Sequence, residues 1–140
     1  MNVLYIFNIL VFLALSALHF YWAIGGRWGF RVGIPTDNNG NSIFKPGVLA
    51  TVIVALGLLM FAMINLSLVG EWFTQPSKVY LRYMLPVIGM IFALRAIGDF
   101  KYIGILKRFK KSTFAWWDSW LYTPLCIVLA LTHLLLYFCD

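Results

Sequence analysis

Hydrophobic positions along this chain fall into four long, nearly continuous runs, at residues 3–24, 47–69, 79–100 and 119–138. A hydrocarbon layer of about 30 Å takes roughly 20 helical residues to cross, so each run predicts one transmembrane helix. Barrel strands would alternate lipid-facing and lumen-facing residues, and these runs do not alternate. The predicted fold is therefore all-α: a polytopic four-helix membrane bundle forming one domain over residues 1–140.

The third run is the most interrupted, with 12 uncharged residues between Arg82 and Arg95. Counted from Arg82 to Asp99 it spans 18 residues. That is about 27 Å of helix, and both arginines can extend toward the interfaces. The first run is read as a retained helix rather than a secretory signal. No Lys or Arg precedes it, and its apolar character continues past Ala14-Leu15-Ser16 through His19, Phe20, Tyr21 and Trp22.

Between the runs the chain changes character. Residues 25–46 begin glycine-rich (Gly25, Gly26, Gly29, Gly33) and then read as turns from Thr36 to Asn41, with Pro46 suited to open the second helix. In residues 101–117, Ile103, Leu106 and Phe109 or Lys110 recur at helical spacing among Lys101, Lys107, Arg108 and Lys111. That spacing predicts a short cytoplasmic interfacial helix. Trp116, Trp117 and Trp120 cluster where the chain re-enters the membrane, with Trp72 and Phe73 at the opposite face, as interfacial aromatic belts require. Asn65-Leu66-Ser67 has the glycosylation pattern but lies inside an apolar run, so Asn65 is expected to bond another helix. Gly89 and Ala93, four residues apart, allow close helix approach or offer a docking face.

Composition agrees with the pattern: 62% of residues are hydrophobic and 11% charged, against about 25% charged in soluble domains. Charge adds orientation. Arg27, Arg31, Lys45, Lys101, Lys107, Arg108, Lys110 and Lys111 follow the first and third runs, whereas only Lys78 and Arg82 lie at the other ends. The richer loops should face the cytoplasm, leaving both termini outside. The net charge of +6 then suits anionic lipid head groups and calls for no nucleic acid. Cys126 and Cys139 form no C-x-x-C, which disfavours a thiol-redox enzyme, and Cys126 reads as a small buried apolar residue.

Ionisable groups at membrane depth are costly, from about 2.5 kcal/mol for a central Arg or Asp. His19 and Arg95 each lie five residues before the cytoplasmic end of a span, roughly 8 Å below the interface. Depth gathers His19, Trp22, Arg95, Asp99, Asp118 and Tyr122 into one layer. In the structural reading Arg95 and Asp99 neutralise each other, Asp118 caps the fourth helix, and His19 bonds a neighbouring helix. An Asp99 at a helix C-terminus opposes the dipole, unless Gly98 ends the helix first. In the functional reading Arg95 binds an anionic group and His19 or a carboxylate handles a proton. His133, near the outer end of the fourth run, is expected to be a satisfied interfacial histidine.

Three segments, HFYWAIGG from His19, RAIGDFKYIG from Arg95 and FAWWD from Phe114 with LYTPLC from Leu121, resemble a family of small bacterial four-helix membrane proteins known only as a domain of unknown function. The resemblance implies the four-span fold and a bacterial inner-membrane setting, and it lends no activity. Its motif positions coincide with the layer chosen by depth. They single out His19, Tyr21, Trp22, Arg95, Gly98, Asp99, Asp118, Tyr122 and Pro124.

Three functions compete. In a binding or transport module, Trp22, Arg95, Tyr122 and Tyr21 hold an anionic amphiphile or lipid head group. In a membrane enzyme acting on a lipid or isoprenoid-like substrate, His19, Asp99 and Asp118 are the catalytic candidates, within hydrogen-bond reach of one another. In a structural or assembly subunit, the bundle docks on a homo-oligomer or larger membrane complex. A channel is disfavoured, because no polar face repeats along a whole span. No metal constellation is present in the sequence and no cofactor is expected. Membrane lipids are the expected partners.

Overall fold

The computed structural model describes residues 1–37, 39–70 and 75–139. Trp72 and Phe73, expected at one interface, lie outside the described residues, as do Asn38 of the turn and the terminal Asp140. Four helices are long and apolar enough to cross a membrane. The first is α1 (Asn2–Ala23), followed by a single turn, α2 (Phe30–Gly33), and then α3 (Val48–Val69). The third span joins α4 (Gln75–Arg82) to α5 (Met84–Ile97), and the fourth joins α6 (Thr113–Trp117), a π-helical turn at Asp118–Tyr122 and α7 (Thr123–Cys139).

The interruption at Tyr83 in the third span has a local cause. Pro86 lies in the first turn of α5, where its missing N–H requires no acceptor. Arg82, beside the break, donates to the Tyr137 carbonyl near the end of α7 at 2.9 Å, meeting a backbone acceptor that has no partner within its own helix. Pro46 stands just ahead of the second span rather than opening it, and Gly47 precedes the first helical residue, Val48.

Helix α1 packs chiefly along α3, and α5 along α7. The two pairs meet where Phe12 is fully buried against Leu58, Ala62, Ile88, Phe92 and Leu129. The rings of Phe12 and Phe92 lie 5.5 Å apart, and those of Phe12 and Phe61 5.7 Å apart. Gly89 is buried in the α5–α7 seam, where an added Cβ would come within 3.2 Å of the Ala130 carbonyl. The close approach expected of Gly89 is thus made inside the bundle, against α7. Outward positions such as Leu10, Leu49, Met90 and Leu131 are exposed and apolar, as a hydrocarbon solvent requires.

Candidate functional site

At the end of the bundle carrying the connections 24–47 and 98–112, α5 stops at Ile97 because Gly98 takes φ 85°, while its N–H bonds the Leu94 carbonyl. An added Cβ on Gly98 would collide with the Ile103 carbonyl. The backbone therefore leaves the helix at once and folds back on itself. Asp99 is exposed and does not pair with Arg95. Its Oδ1 accepts the N–H groups of Lys101, Tyr102 and Ile103 at 3.0, 2.7 and 2.9 Å. Partial burial raises the Asp99 pKa, but these N–H groups outweigh it and hold the carboxyl below its ordinary value.

The interfacial helix expected over residues 101–117 is absent: no helix forms before Thr113. The competing bonds explain why. Asp99 captures three successive N–H groups, Ile105 N–H goes to the Ala96 carbonyl, and the N–H groups of Arg108 and Phe109 share the Lys101 carbonyl. Phe100 at φ 62° and Gly104 at φ 86° also break helical geometry. Ser112, rather than Asp118, caps the fourth helix by accepting the Ala115 N–H at 3.1 Å.

Asp118 therefore lies inside the helix, fully buried. Its Oδ1 accepts from Arg95 Nη2 at 2.9 Å, and its Oδ2 accepts from Lys107 Nζ at 2.9 Å and the Gly104 N–H at 2.8 Å. Lys107, counted by sequence among the surface charges, keeps only 3% of its side chain exposed. The Arg95 side chain is 32% exposed, yet its Nη1 is buried and has no hydrogen-bond partner among the described residues. Two cations thus share one carboxylate, leaving the cluster net positive.

The π-helical turn follows directly, with the Thr123 N–H reaching back to the Asp118 carbonyl. Pro124 supplies a reason. A proline ring inside a helix clashes with the carbonyl one turn earlier, and widening the turn relieves that contact. The Thr123 hydroxyl is buried and without a partner among the described residues.

The aromatic candidates fix the first connection in place. Trp22 Nε1 donates to the Trp28 carbonyl at 2.8 Å, Tyr21 Oη accepts the Trp28 N–H at 3.4 Å, and Tyr122 donates to the Val32 carbonyl at 3.0 Å. His19 does not join Arg95, Asp99 or Asp118. Its Nδ1 lies 2.7 Å from the Leu15 carbonyl, one turn back on its own helix, and its ring packs edge-on against Trp22 at 5.0 Å. The layer predicted from depth thus resolves into an Arg95–Asp118–Lys107 cluster and a separate His19–Trp22 contact. The acid–base pairing proposed for His19 is not formed.

A second polar group joins Asn65 and His133, both singled out in the sequence, to Asn8, which was not. Asn8, Asn65 and His133 are fully buried where α1, α3 and α7 meet. Asn65 Nδ2 lies 3.2 Å from His133 Nε2 and donates to the Phe61 carbonyl at 2.9 Å, while Asn8 Oδ1 accepts from Thr132 at 2.9 Å. His133 Nδ1 faces the Leu129 carbonyl at 2.7 Å. The interhelical bond expected of Asn65 is present. His133 is satisfied as expected, but in the interior rather than at the interface. The available signal was Asn8, a lone amide in an apolar run.

Cys126 is buried and Cys139 exposed, both as free thiols. Among the described residues, no three His, Cys, Asp or Glu side chains gather as a metal site would need. Against curated proteins and solved structures the chain has no match. A family model described as protein of unknown function (DUF3995) matches residues 12–133, a stretch that takes in the core phenylalanines, the Arg95–Asp118–Lys107 cluster and the buried Asn65–His133 pair. The chain belongs to the DUF3995 family.

Proposed function

We propose that this protein binds an anionic amphiphile, held by its head group, at the end of the bundle built around Arg95 and Asp118. It sits in the bacterial inner membrane with that end toward the cytoplasm and both termini outside. The observation carrying this reading is the unbalanced cluster: Asp118 faces both Arg95 and Lys107, while Arg95 Nη1 is buried without a partner among the described residues. A buried donor left without an acceptor costs about 1 to 3 kcal/mol, which a head-group oxygen would offset. The guanidinium is suited to the task, since one of its nitrogens can hold Asp118 while the other meets a head-group oxygen. Trp22, Tyr21 and Tyr122 position the loop beside the ligand rather than contacting it.

The test is lipid retention by the full chain purified in a mild detergent and examined by native mass spectrometry. The wild type should keep anionic lipids in preference to zwitterionic ones. Arg95→Gln should weaken that retention about tenfold, the loss of one hydrogen bond to a charged group. Arg95→Lys should lose less. Equal retention by Arg95→Gln overturns the proposal.

A structural role has an observation of its own in its favour, because Asp118 ties α5, the loop and the fourth helix together. On that reading Arg95→Gln lowers thermal stability without altering the lipids that copurify.

A further inference from the structure

On the Oδ2 side of Asp118, between the loop and the start of α7, lies a hollow of about 250 Å³ lined by Gly104, Ile105, Lys107, Lys110, Ser119 and Thr123. Its charged and hydroxyl-bearing lining consists of two ammonium groups and two hydroxyls, with no carboxylate. Lys107 spends two of its three N–H donors, on Asp118 and on the Gly104 carbonyl at 3.3 Å, so one is left over. The Thr123 hydroxyl has no partner among the described residues. Lys110 and Ser119 are exposed at the rim. Lys107 and Lys110 against Asp118 leave one positive charge unbalanced at the hollow, since Arg95 pairs with the Oδ1 side and does not line it.

That combination selects among anions. A carboxylate or a phosphodiester brings one negative charge, whereas a phosphomonoester carries about −1.5 to −2 at neutral pH and presents three acceptor oxygens. The spare Lys107 N–H, the Lys110 ammonium and the two hydroxyls outnumber the two free oxygens of a carboxylate or phosphodiester and match the three of the phosphomonoester. Exposed Ile105 in the lining offers an apolar border to an attached chain. We propose that this hollow is a phosphomonoester site, in which Lys107 and Lys110 neutralise the terminal phosphate and Ser119 and Thr123 donate to its oxygens. It stands apart from the contact assigned to Arg95 Nη1, and neither requires the other.

The experiment titrates the full chain in dodecyl maltoside micelles with four probes, read by native mass spectrometry: dioleoyl phosphatidic acid, dioleoyl phosphatidylglycerol, oleate and inorganic phosphate. Phosphatidic acid should bind about tenfold more tightly than phosphatidylglycerol, as expected for one further charge-assisted hydrogen bond. The double variant Lys110→Gln, Ser119→Ala alters only exposed side chains and should weaken phosphatidic acid about tenfold while leaving oleate unchanged. Thr123→Val, which removes the hydroxyl and keeps the shape, should act in the same direction without loss of thermal stability. Displacement of the lipid by millimolar inorganic phosphate identifies phosphate itself as sufficient. Failure to displace it identifies a phosphate carried on a lipid chain.

Equal binding of the two phospholipids, or phosphatidic acid binding untouched by the double variant, overturns the proposal. If only Arg95→Gln reduces anionic lipid, this site is lost and the Arg95 reading survives. If only the double variant does, the outcome is reversed.

Discussion

Around Asp118 a sealed-in carboxylate meets one buried and one part-exposed cation, and one guanidinium nitrogen has no partner among the described residues. Toward the other end, Asn8, Asn65 and His133 are sealed in as completely, yet each finds partners among neutral groups and backbone carbonyls. The two regions face one constraint, since a buried polar group must be satisfied. They meet it differently. The neutral layer closes on itself and needs nothing further to hold α1, α3 and α7 in register. The charged cluster remains open, with surplus charge and unused donors, which is why function is assigned to it.

The comparison breaks most visibly at Asp118. Asp118→Asn leaves Lys107 buried and the part-exposed Arg95 without their counter-charge and should cost about 3 to 5 kcal/mol, most of it at Lys107. The fall in the thermal unfolding midpoint in detergent reports it. A midpoint equal to the wild type would mean that the cluster opens to water, and the contrast with the neutral layer would fail.

A smaller effect is expected in the neutral layer. Asn65→Leu should cost about 0.6 to 1.7 kcal/mol, the range of interhelical hydrogen bonds in membranes, and should leave lipid retention unchanged. Altered retention would join the two regions into one functional unit.

The smallest effect lies in the loop, at Asp99. Its folded pKa is lowered. It therefore stabilises the loop fully above about pH 3.9, the unfolded value, and loses that contribution as pH falls through the folded value. Hydrogen exchange at the amides of Lys101, Tyr102 and Ile103 should accelerate over that acidic window. In Asp99→Ala it should be fast already at neutral pH. Protection that persists in Asp99→Ala would show that the glycine turns alone hold the loop.

How much of this was legible varied with the kind of interaction. Spans could be read because hydrocarbon admits only long apolar helices, and the observed helices begin and end within a few residues of the apolar runs except at the fourth, which starts six residues earlier, at Thr113 rather than 119. Gly98 could be read as a possible stop because glycine alone enters its backbone region cheaply. Arg95 and Asp118 were placed at one depth, and they do meet. Lys107 was misread because a lysine in a basic loop looks solvated, and only the fold turns this one inward. The loop itself was misread because helical spacing among Ile103, Leu106 and Phe109 describes a face, whereas the conformation was decided by Asp99 taking the N–H groups that a helix would have used.

The sequence by itself determined the solvent, the four spans and the level at which charge gathers, because each follows from apolar length and from the cost of burying an ion. Which cation met which carboxylate, and which donors stayed free, was decided by the tertiary structure. Those outcomes depend on a glycine turn, a proline-widened helical turn and a folded-back lysine, all competing for the same few ångströms around Asp118.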